Sequence, residues 1–240
     1  PPTADIMLAL TPNMTKVLTY GAIILATGTR NERCNIIPIV GLPMMGDLIN
    51  ARFILGISAD NESICAALGL PAAQIDDPSL ITSDVVVVIA SAKTGIDSNI
   101  VKNWITFREL YIPTIVVVTD FEDGDVDFED MSANVGKMLE PVLNPYLVLH
   151  ADTGEPTALI NLEDQMITDY SNSKVSKISS DVEHRELVLE FKEELHNALT
   201  EGGWDQFVQG LIIPAIPLIL KNKLGIAEIK HFLDLIPTRR

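Results

Sequence analysis

The sequence predicts an α/β fold built on a doubly wound, mostly parallel sheet. Two β-branched runs, Asp84–Ala90 and Thr114–Thr119, continue without alternating apolar and polar residues. Such runs are typical of strands that are buried on both faces of a parallel sheet. Helical patterns separate the runs, and strands that alternate with helices favour a sheet with helices on both faces.

Shorter apolar runs supply the other predicted strands of this sheet. They are Asp5–Leu10, Asn35–Val40, Tyr146–His150 and Leu211–Ile216. The first ends in a Thr-Pro-Asn turn and the second ends at a glycine, and both are common strand boundaries. A short antiparallel excursion is predicted near Ala158–Leu162.

Helices are predicted between these strands from the spacing of apolar residues and from capping signals. Asp60 is a candidate N-cap, and Gly28 and Gly69 are candidate stop signals. The predicted helices are Thr15–Ala26, Met45–Leu55, Asp60–Leu68, Asp97–Leu110, Phe128–Leu139, Glu183–Leu199 and Ala227–Leu235.

The composition excludes several classes of function. The 240 residues include 33 acidic and 17 basic side chains, for a formal net charge of −16. Such a surface repels phosphate backbones and argues against a general nucleic-acid groove, but it leaves a local basic patch or a basic protein partner open. Two cysteines, Cys34 and Cys65, fit a reduced compartment, and the longest apolar runs are too short to cross a bilayer. We therefore predict a cytoplasmic protein without a membrane partner.

From Ser83 onward, several segments occur in an order and spacing typical of one family. The chain there resembles the GTP-binding first domain of bacterial elongation factor G, although related release factors and tetracycline-resistance ribosomal protection proteins match equally well. The resemblance implies a P-loop NTPase-like fold in which 1–240 is a single domain, 151–210 an inserted subdomain, and the whole the N-terminal part of a longer multidomain protein. The segments are Asp84–Val88, Lys93–Asp97, Gly124–Phe128, Asp152–Pro156 and Lys221–Gly225.

The phosphate-binding motif of that family is mostly missing. Its pattern G-x-x-x-x-G-K-[ST] corresponds to 10–17, where Lys16 takes the lysine position. Both glycines are absent, Val17 replaces the hydroxyl that holds Mg²⁺, and Pro12 removes an N–H donor. The alternative interpretation is that Lys16 does not contact phosphate and is a solvated surface residue at the start of a helix.

The other nucleotide-contacting motifs are altered in the same way. Gly41 remains from the family's Asp-x-x-Gly, but the aspartate does not. The guanine-selecting Asn-Lys-x-Asp becomes 119–122, in which Glu122 still offers a carboxylate to a guanine edge while Asp120 reverses the charge of the lysine. Leucine and isoleucine at 218–220 replace the Ser-Ala box. The degenerate candidates for nucleotide binding are Lys16, Gly41, Thr119, Asp120 and Glu122.

No metal site is predicted. Asp123, Asp125 and Asp127 have the spacing of the first ligands of a calcium loop, but Phe128 stands where that loop needs glycine. The four histidines do not have the spacing of metal ligands.

The sequence thus predicts an elongation factor G-like translation-factor domain that has lost GTP binding and hydrolysis. Such a pseudo-GTPase would have no catalytic residues and no cofactor, and it would serve as a scaffold or interaction module for a protein or ribosome-associated partner. The alternative is an atypical translational GTPase with weak activity that keeps GTP and Mg²⁺. A third possibility is an unrelated doubly wound binding domain, which leaves the ordered matches after Ser83 unexplained.

Overall fold

The computed structural model describes residues 6–11, 14–19, 22–27, 35–36, 52–56, 60–73, 78–122, 126–172, 174–200 and 202–237. The chain divides into two compact units, Pro1–Ile49 with Arg240, and Asn50–Arg239. Each unit is described by itself below.

The first unit contains an antiparallel sheet with the strand order β1-β2-β3-β4. The register places Lys16 of the second strand opposite Leu8 and Leu25 of its neighbours. The strands are β1 (Ile6–Thr11), β2 (Met14–Thr19), β3 (Ala22–Thr27) and β4 (Asn35–Ile36).

Two predictions for the first unit need correction. The helix predicted at Thr15–Ala26 is wrong, because this segment forms most of β2 and most of β3. The strand predicted at Asp5–Leu10 is present as β1, but it pairs antiparallel. Of the strand predicted at Asn35–Val40, β4 covers the first two residues and the rest lies outside the described residues. The segment that was misassigned is rich in β-branched residues, which favour strands over helices: Thr15, Val17, Thr19, Ile23 and Ile24.

The second unit contains the remaining elements. In chain order they are β5 (Arg52–Leu55), α1 (Asn61–Leu68), a 3₁₀ turn (Pro78–Thr82), β6 (Val85–Ser91), α2 (Ser98–Glu109), β7 (Thr114–Thr119), α3 (Phe128–Met138), β8 (Tyr146–His150), β9 (Pro156–Asn161), β10 (Met166–Asp169), β11 (Ser176–Ser179), α4 (Val182–Leu187), α5 (Leu189–Leu199), α6 (Asp205–Val208), β12 (Ala215–Pro217) and α7 (Ile226–Leu235).

The core of the second unit is a parallel sheet in the order β12-β7-β6-β5. Every residue of β6 and β7 is buried, which confirms the two strands predicted from the continuous apolar runs. The prediction of an α/β fold with a parallel sheet is therefore confirmed.

Helices pack on both faces of this sheet. Successive side chains of a strand point to opposite faces, and those of β6 and β7 divide between two apolar clusters accordingly. One face meets α2 and α3 through Ile100, Trp104, Phe128, Met131 and Val135. The other face meets α1 and α7 through Ile64, Leu68, Ile229, Phe232 and Leu233.

The second unit also contains an antiparallel sheet, in the order β11-β10-β9-β8. It is connected to the parallel sheet of the same unit. The residues that lead into β8 and β12 join the two sheets: Leu143 N–H donates to Ile213 O at 2.8 Å, and Ala215 N–H donates to Leu143 O at 2.8 Å. The strand predicted at Tyr146–His150 is present as β8, but within its named bounds it pairs antiparallel with β9 and not with the parallel sheet.

Several helix predictions are confirmed at nearly the same bounds, namely α1, α2, α3 and α7. The helix predicted at Glu183–Leu199 is two helices, α4 and α5, that meet at Val188. The helix predicted at Met45–Leu55 is wrong over its last four residues, which pair with β6 as strand β5, and its earlier part lies outside the described residues. The last predicted strand, Leu211–Ile216, begins later and is β12.

Among the described residues, no helix combines the length and the apolar character that a membrane crossing requires.

Candidate functional site

The carboxyl ends of β6 and β7 meet at one edge of the parallel sheet, where open α/β sheets usually bind ligands. The last residues of the two strands, Ser91 and Thr119, are register partners. Asp120 follows Thr119 directly, and Glu122 comes two residues later. Thr119, Asp120 and Glu122 therefore lie at the carboxyl end of β7.

Hydrogen bonds hold the carboxylate of Asp120 against the strand ends. Ser91 Oγ donates to Asp120 Oδ2 at 2.6 Å, and Thr119 Oγ1 donates to the same oxygen at 3.1 Å. Ser91 Oγ in turn accepts from the backbone N–H groups of Lys93 and Thr94 at 3.2 and 3.1 Å. The aspartate therefore ties β6 to the end of β7.

The backbone of Asp120 has φ of +62°, in the left-handed region. Few residues other than glycine adopt this region readily, and aspartate is among those that do. The bonds from Ser91 and Thr119 hold the residue in this conformation.

A small cavity of about 120 Å³ lies at this edge. Small-molecule sites usually measure about 300–1,000 Å³, so the cavity is small for a nucleotide base with its sugar. Its lining combines two segments distant in sequence, 119–122 and 218–220. The lining residues are Asp60, Ile64, Thr119, Asp120, Glu122, Leu218, Leu220 and Lys221.

The charge around this cavity is predominantly acidic. Three carboxylates, from Asp60, Asp120 and Glu122, line it together with a single amine, from Lys221. Lys221 Nζ also bonds Glu155 Oε1 at 3.1 Å, outside the cavity lining. An acidic cavity of this kind disfavours phosphate groups.

The remaining predicted site residues lie elsewhere. Lys16 lies within strand β2 of the first unit and not at the start of a helix, and Gly41 lies outside the described residues. Whether any of the five candidates binds nucleotide stays a prediction.

Three polar residues of this site were not predicted from the sequence: Asp60, Ser91 and Lys221. Ser91 had a detectable signal, because it directly follows the buried run Asp84–Ala90 and so ends a strand at the same edge as Thr119. Asp60 precedes α1 and Lys221 follows β12. Their positions at the cavity depend on how these elements pack against the end of β7, which the sequence does not specify.

The described residues contain no group of three or more histidine, cysteine, aspartate or glutamate side chains that could hold a metal ion. Of the calcium-like series, Asp123 and Asp125 lie outside the described residues. Asp127 caps α3 by accepting a hydrogen bond from Asp130 N–H at 2.7 Å, which is a common role for aspartate at a helix start.

No protein-family model and no curated protein matches the sequence. Among solved structures, the chain is similar to the crystal structure of ttk003000868 from Thermus thermophilus, with a TM-score of 0.57 and 18% sequence identity. The match covers 94% of this chain and 32% of the Thermus chain, so this chain spans about a third of that protein's length. At this identity the likeness concerns the fold alone.

Proposed function

We propose that this chain is a translation-factor domain of the elongation factor G type that has lost GTP binding and hydrolysis. In this proposal the parallel sheet and its helices are the remainder of a doubly wound, P-loop NTPase-like fold. The domain belongs to a longer cytoplasmic protein and serves there as a scaffold or interaction module.

One observation carries the proposal. The resemblance aligns 119–122 with the guanine-selecting motif and 218–220 with the Ser-Ala box, and these two segments line one cavity at the carboxyl edge of the parallel sheet. They are about a hundred residues apart in the chain, and they meet because each follows one of the paired parallel strands β7 and β12. Their meeting supports the alignment of both segments with a base-binding corner.

The chemistry of that corner supports the loss of the nucleotide. Asp120 carries a negative charge where the family has a lysine, and its carboxylate already accepts bonds from Ser91 and Thr119. Leu218 and Leu220 provide only aliphatic side chains. Each lost charge-assisted hydrogen bond weakens binding by about 1.5–3 kcal/mol, so the loss of three weakens it by at least roughly a thousandfold.

The partner in this proposal is a protein or a ribosome-associated component. The net charge of −16 favours a basic partner surface. No cofactor is needed for a scaffold role.

Isothermal titration calorimetry with GTP and GDP, each with Mg²⁺, tests the loss of nucleotide binding. We expect no saturable heat at nucleotide concentrations up to about 1 mM, which corresponds to a binding free energy weaker than about −4 kcal/mol. The protein's fold is checked in the same samples by circular dichroism.

Saturable micromolar binding that Lys16→Ala or Glu122→Gln abolishes would overturn the proposal and favour the atypical GTPase. Glu109→Gln is the matched control, because Glu109 is an exposed carboxylate at the end of α2, before the amino end of β7. Binding that this control also abolishes would be nonspecific and would leave the loss of the nucleotide site standing.

A further inference from the structure

The strand β11 lies at one edge of the antiparallel sheet, in the order β11-β10-β9-β8. Within the described part of the chain, β10 is the only strand that pairs with it. An edge strand presents backbone N–H and C=O groups with which a further strand can pair, and proteins often recognise extended peptides in this way. The edge shares no residue with the cavity at the strand ends, and it would serve a partner whether or not the chain binds nucleotide.

The register of the strands shows which backbone groups of β11 face outward. Ser180 N–H donates to Gln165 O at 3.4 Å, which makes these two residues a hydrogen-bonded pair. Such pairs alternate with non-hydrogen-bonded pairs along an antiparallel ladder. Ile178, two residues before Ser180, therefore also directs its backbone groups to β10. The backbone groups of Lys177 and Ser179 then point away from β10, towards the open side of the sheet.

An apolar row crosses the four strands of this sheet and ends at the open edge. Its members are register partners in turn: Leu147, Ile160, Ile167 and Ile178. The first three are at most 7% exposed and belong to a buried cluster with Leu195 of α5, whereas Ile178 is 51% exposed. An apolar side chain on an added strand would lie beside Ile178 and cover it.

The opposite face of β11 carries positive charge. Successive side chains of a strand alternate between its faces, so Lys177 lies on the face opposite to Ile178. Residues 170–180 contain two lysines, Lys174 and Lys177, and no acidic side chain, in a chain whose formal net charge is −16. The edge strand and the turn before it are therefore locally basic and favour an acidic partner.

Beyond both ends of this basic segment the charge is mixed. Arg185 Nε donates to Ser180 Oγ at 3.1 Å, which adds a third positive charge next to the strand. The flanking carboxylates of Asp169 and Asp181 accept hydrogen bonds from backbone N–H groups two and three residues later, at 2.8 Å each. An acidic partner would thus meet the lysines between these two carboxylates.

We propose that β11 binds an extended acidic segment of a partner protein, which adds a further strand to the antiparallel sheet. The partner's backbone pairs with Lys177 and Ser179, its apolar residues lie beside Ile178, and its acidic residues lie beside Lys177 on the other face. Because neighbouring residues of a strand point to opposite faces, this geometry requires a segment in which acidic and apolar residues alternate. A second copy of β11 fits less well, since its lysines would meet those of the first.

Fluorescence anisotropy of a labelled peptide tests this inference. The probe is a short peptide of alternating glutamate and valine residues with blocked ends, titrated with the chain. We expect saturable binding that weakens as the salt concentration rises, because exposed charge pairs are screened. The same peptide with lysine in place of glutamate, and a version with proline at its centre, should not bind saturably.

Two variants test the mode of binding. Ser179→Pro removes a backbone N–H group that points away from β10, a position at which edge strands tolerate proline, and it should abolish saturable binding. Lys177→Glu should raise the dissociation constant roughly tenfold, because it turns an attraction into a repulsion. Lys102→Glu, at an exposed position on α2, is the matched control, since it changes the net charge equally and should leave the constant unchanged.

Circular dichroism shows whether Ser179→Pro keeps the fold, and Lys177→Glu decides the test if it does not. The inference is overturned by no saturable binding at millimolar peptide, by equal binding of the lysine peptide, or by binding that neither variant weakens. Self-association of the chain that Ser179→Pro abolishes would also overturn it, because the edge would then belong to a second copy.

Discussion

The two sheets of the second unit differ in how they are covered. In the parallel sheet every residue of β6 and β7 is buried, whereas in the antiparallel sheet all four residues of the edge strand β11 are exposed. Helices pack on both faces of the parallel sheet, whereas the antiparallel sheet ends in the exposed edge strand β11. The difference indicates that the parallel sheet supplies most of the stabilising apolar burial and that the antiparallel sheet becomes less covered towards β11.

A buried polar interaction connects the antiparallel sheet to the helices of the parallel sheet. Tyr170, directly after β10, donates its hydroxyl to both oxygens of Glu228 in α7, at 2.6 and 2.7 Å, and both residues are buried. This bond joins the antiparallel sheet to a helix of the parallel sheet. Substitutions in the core, at the connection and at the open edge therefore test the comparison.

The largest effect is expected in the helix layer of the parallel sheet. Phe232 in α7 is 1% exposed and packs edge-on against Trp204 and Phe207, with ring centroids 4.7 and 5.6 Å apart. Phe232→Ala should lower the free energy of unfolding by about 3–5 kcal/mol, because it removes apolar contacts and leaves a cavity. Urea unfolding measures this change. A loss below about 1.5 kcal/mol would mean that the parallel sheet does not dominate stability.

The connection between the sheets should have an intermediate effect. Tyr170→Phe removes the donor to the buried carboxylate of Glu228 and should cost about 1.5–3 kcal/mol. Hydrogen exchange should then show faster opening in β9 and β10 than in β6 and β7. Equal acceleration in both sheets would contradict the idea that this bond joins two separately covered layers.

The same tyrosine predicts a dependence of stability on alkaline pH. Burial, followed by the nearby Glu228 carboxylate, raises the pKa of Tyr170, so the folded state keeps the proton. The unfolded chain releases it near pH 10, and the stabilisation is complete below that pH and is lost as the pH rises towards the folded-state pKa. Tyr170→Phe should flatten this decline in part, since the pKa of Tyr146 is also raised.

The smallest effect is expected at the open edge. Ile178 in β11 is 51% exposed, and Ile178→Thr keeps a β-branched side chain, so stability should change by no more than about 0.5 kcal/mol. Thermal unfolding of the variant beside the parent measures it. A loss of more than about 1.5 kcal/mol would show that β11 is covered in solution and would remove the contrast between the sheets.

The sequence was most informative where one physical cause determined the local structure. Continuous β-branched runs predicted β6 and β7, because only burial on both faces explains such runs. The segment 15–26 was misassigned to a helix, since a short apolar segment fits both helix and strand until its β-branched content is weighed. The orientation of β8 was not predictable, because a run of five residues contains no information about the direction of the neighbouring strand.

In the candidate site, too, some features were predictable from local sequence and others were not. The placement of Thr119 and Asp120 followed from the end of a predicted strand. The bond from Ser91 to Asp120 was not predictable, because it depends on the register that sets Ser91 beside Thr119.

The conformation of Asp120 bears on the history of the chain. Under the proposed descent, this position once held a lysine that contacted the nucleotide. A lysine there now would have to adopt the left-handed backbone and would deprive Ser91 and Thr119 of their acceptor. Reverting this one residue would therefore restore a charge without restoring the site. Under that same proposal, regaining nucleotide binding at this edge requires several substitutions together, because Ser91 and Thr119 depend on the carboxylate of Asp120.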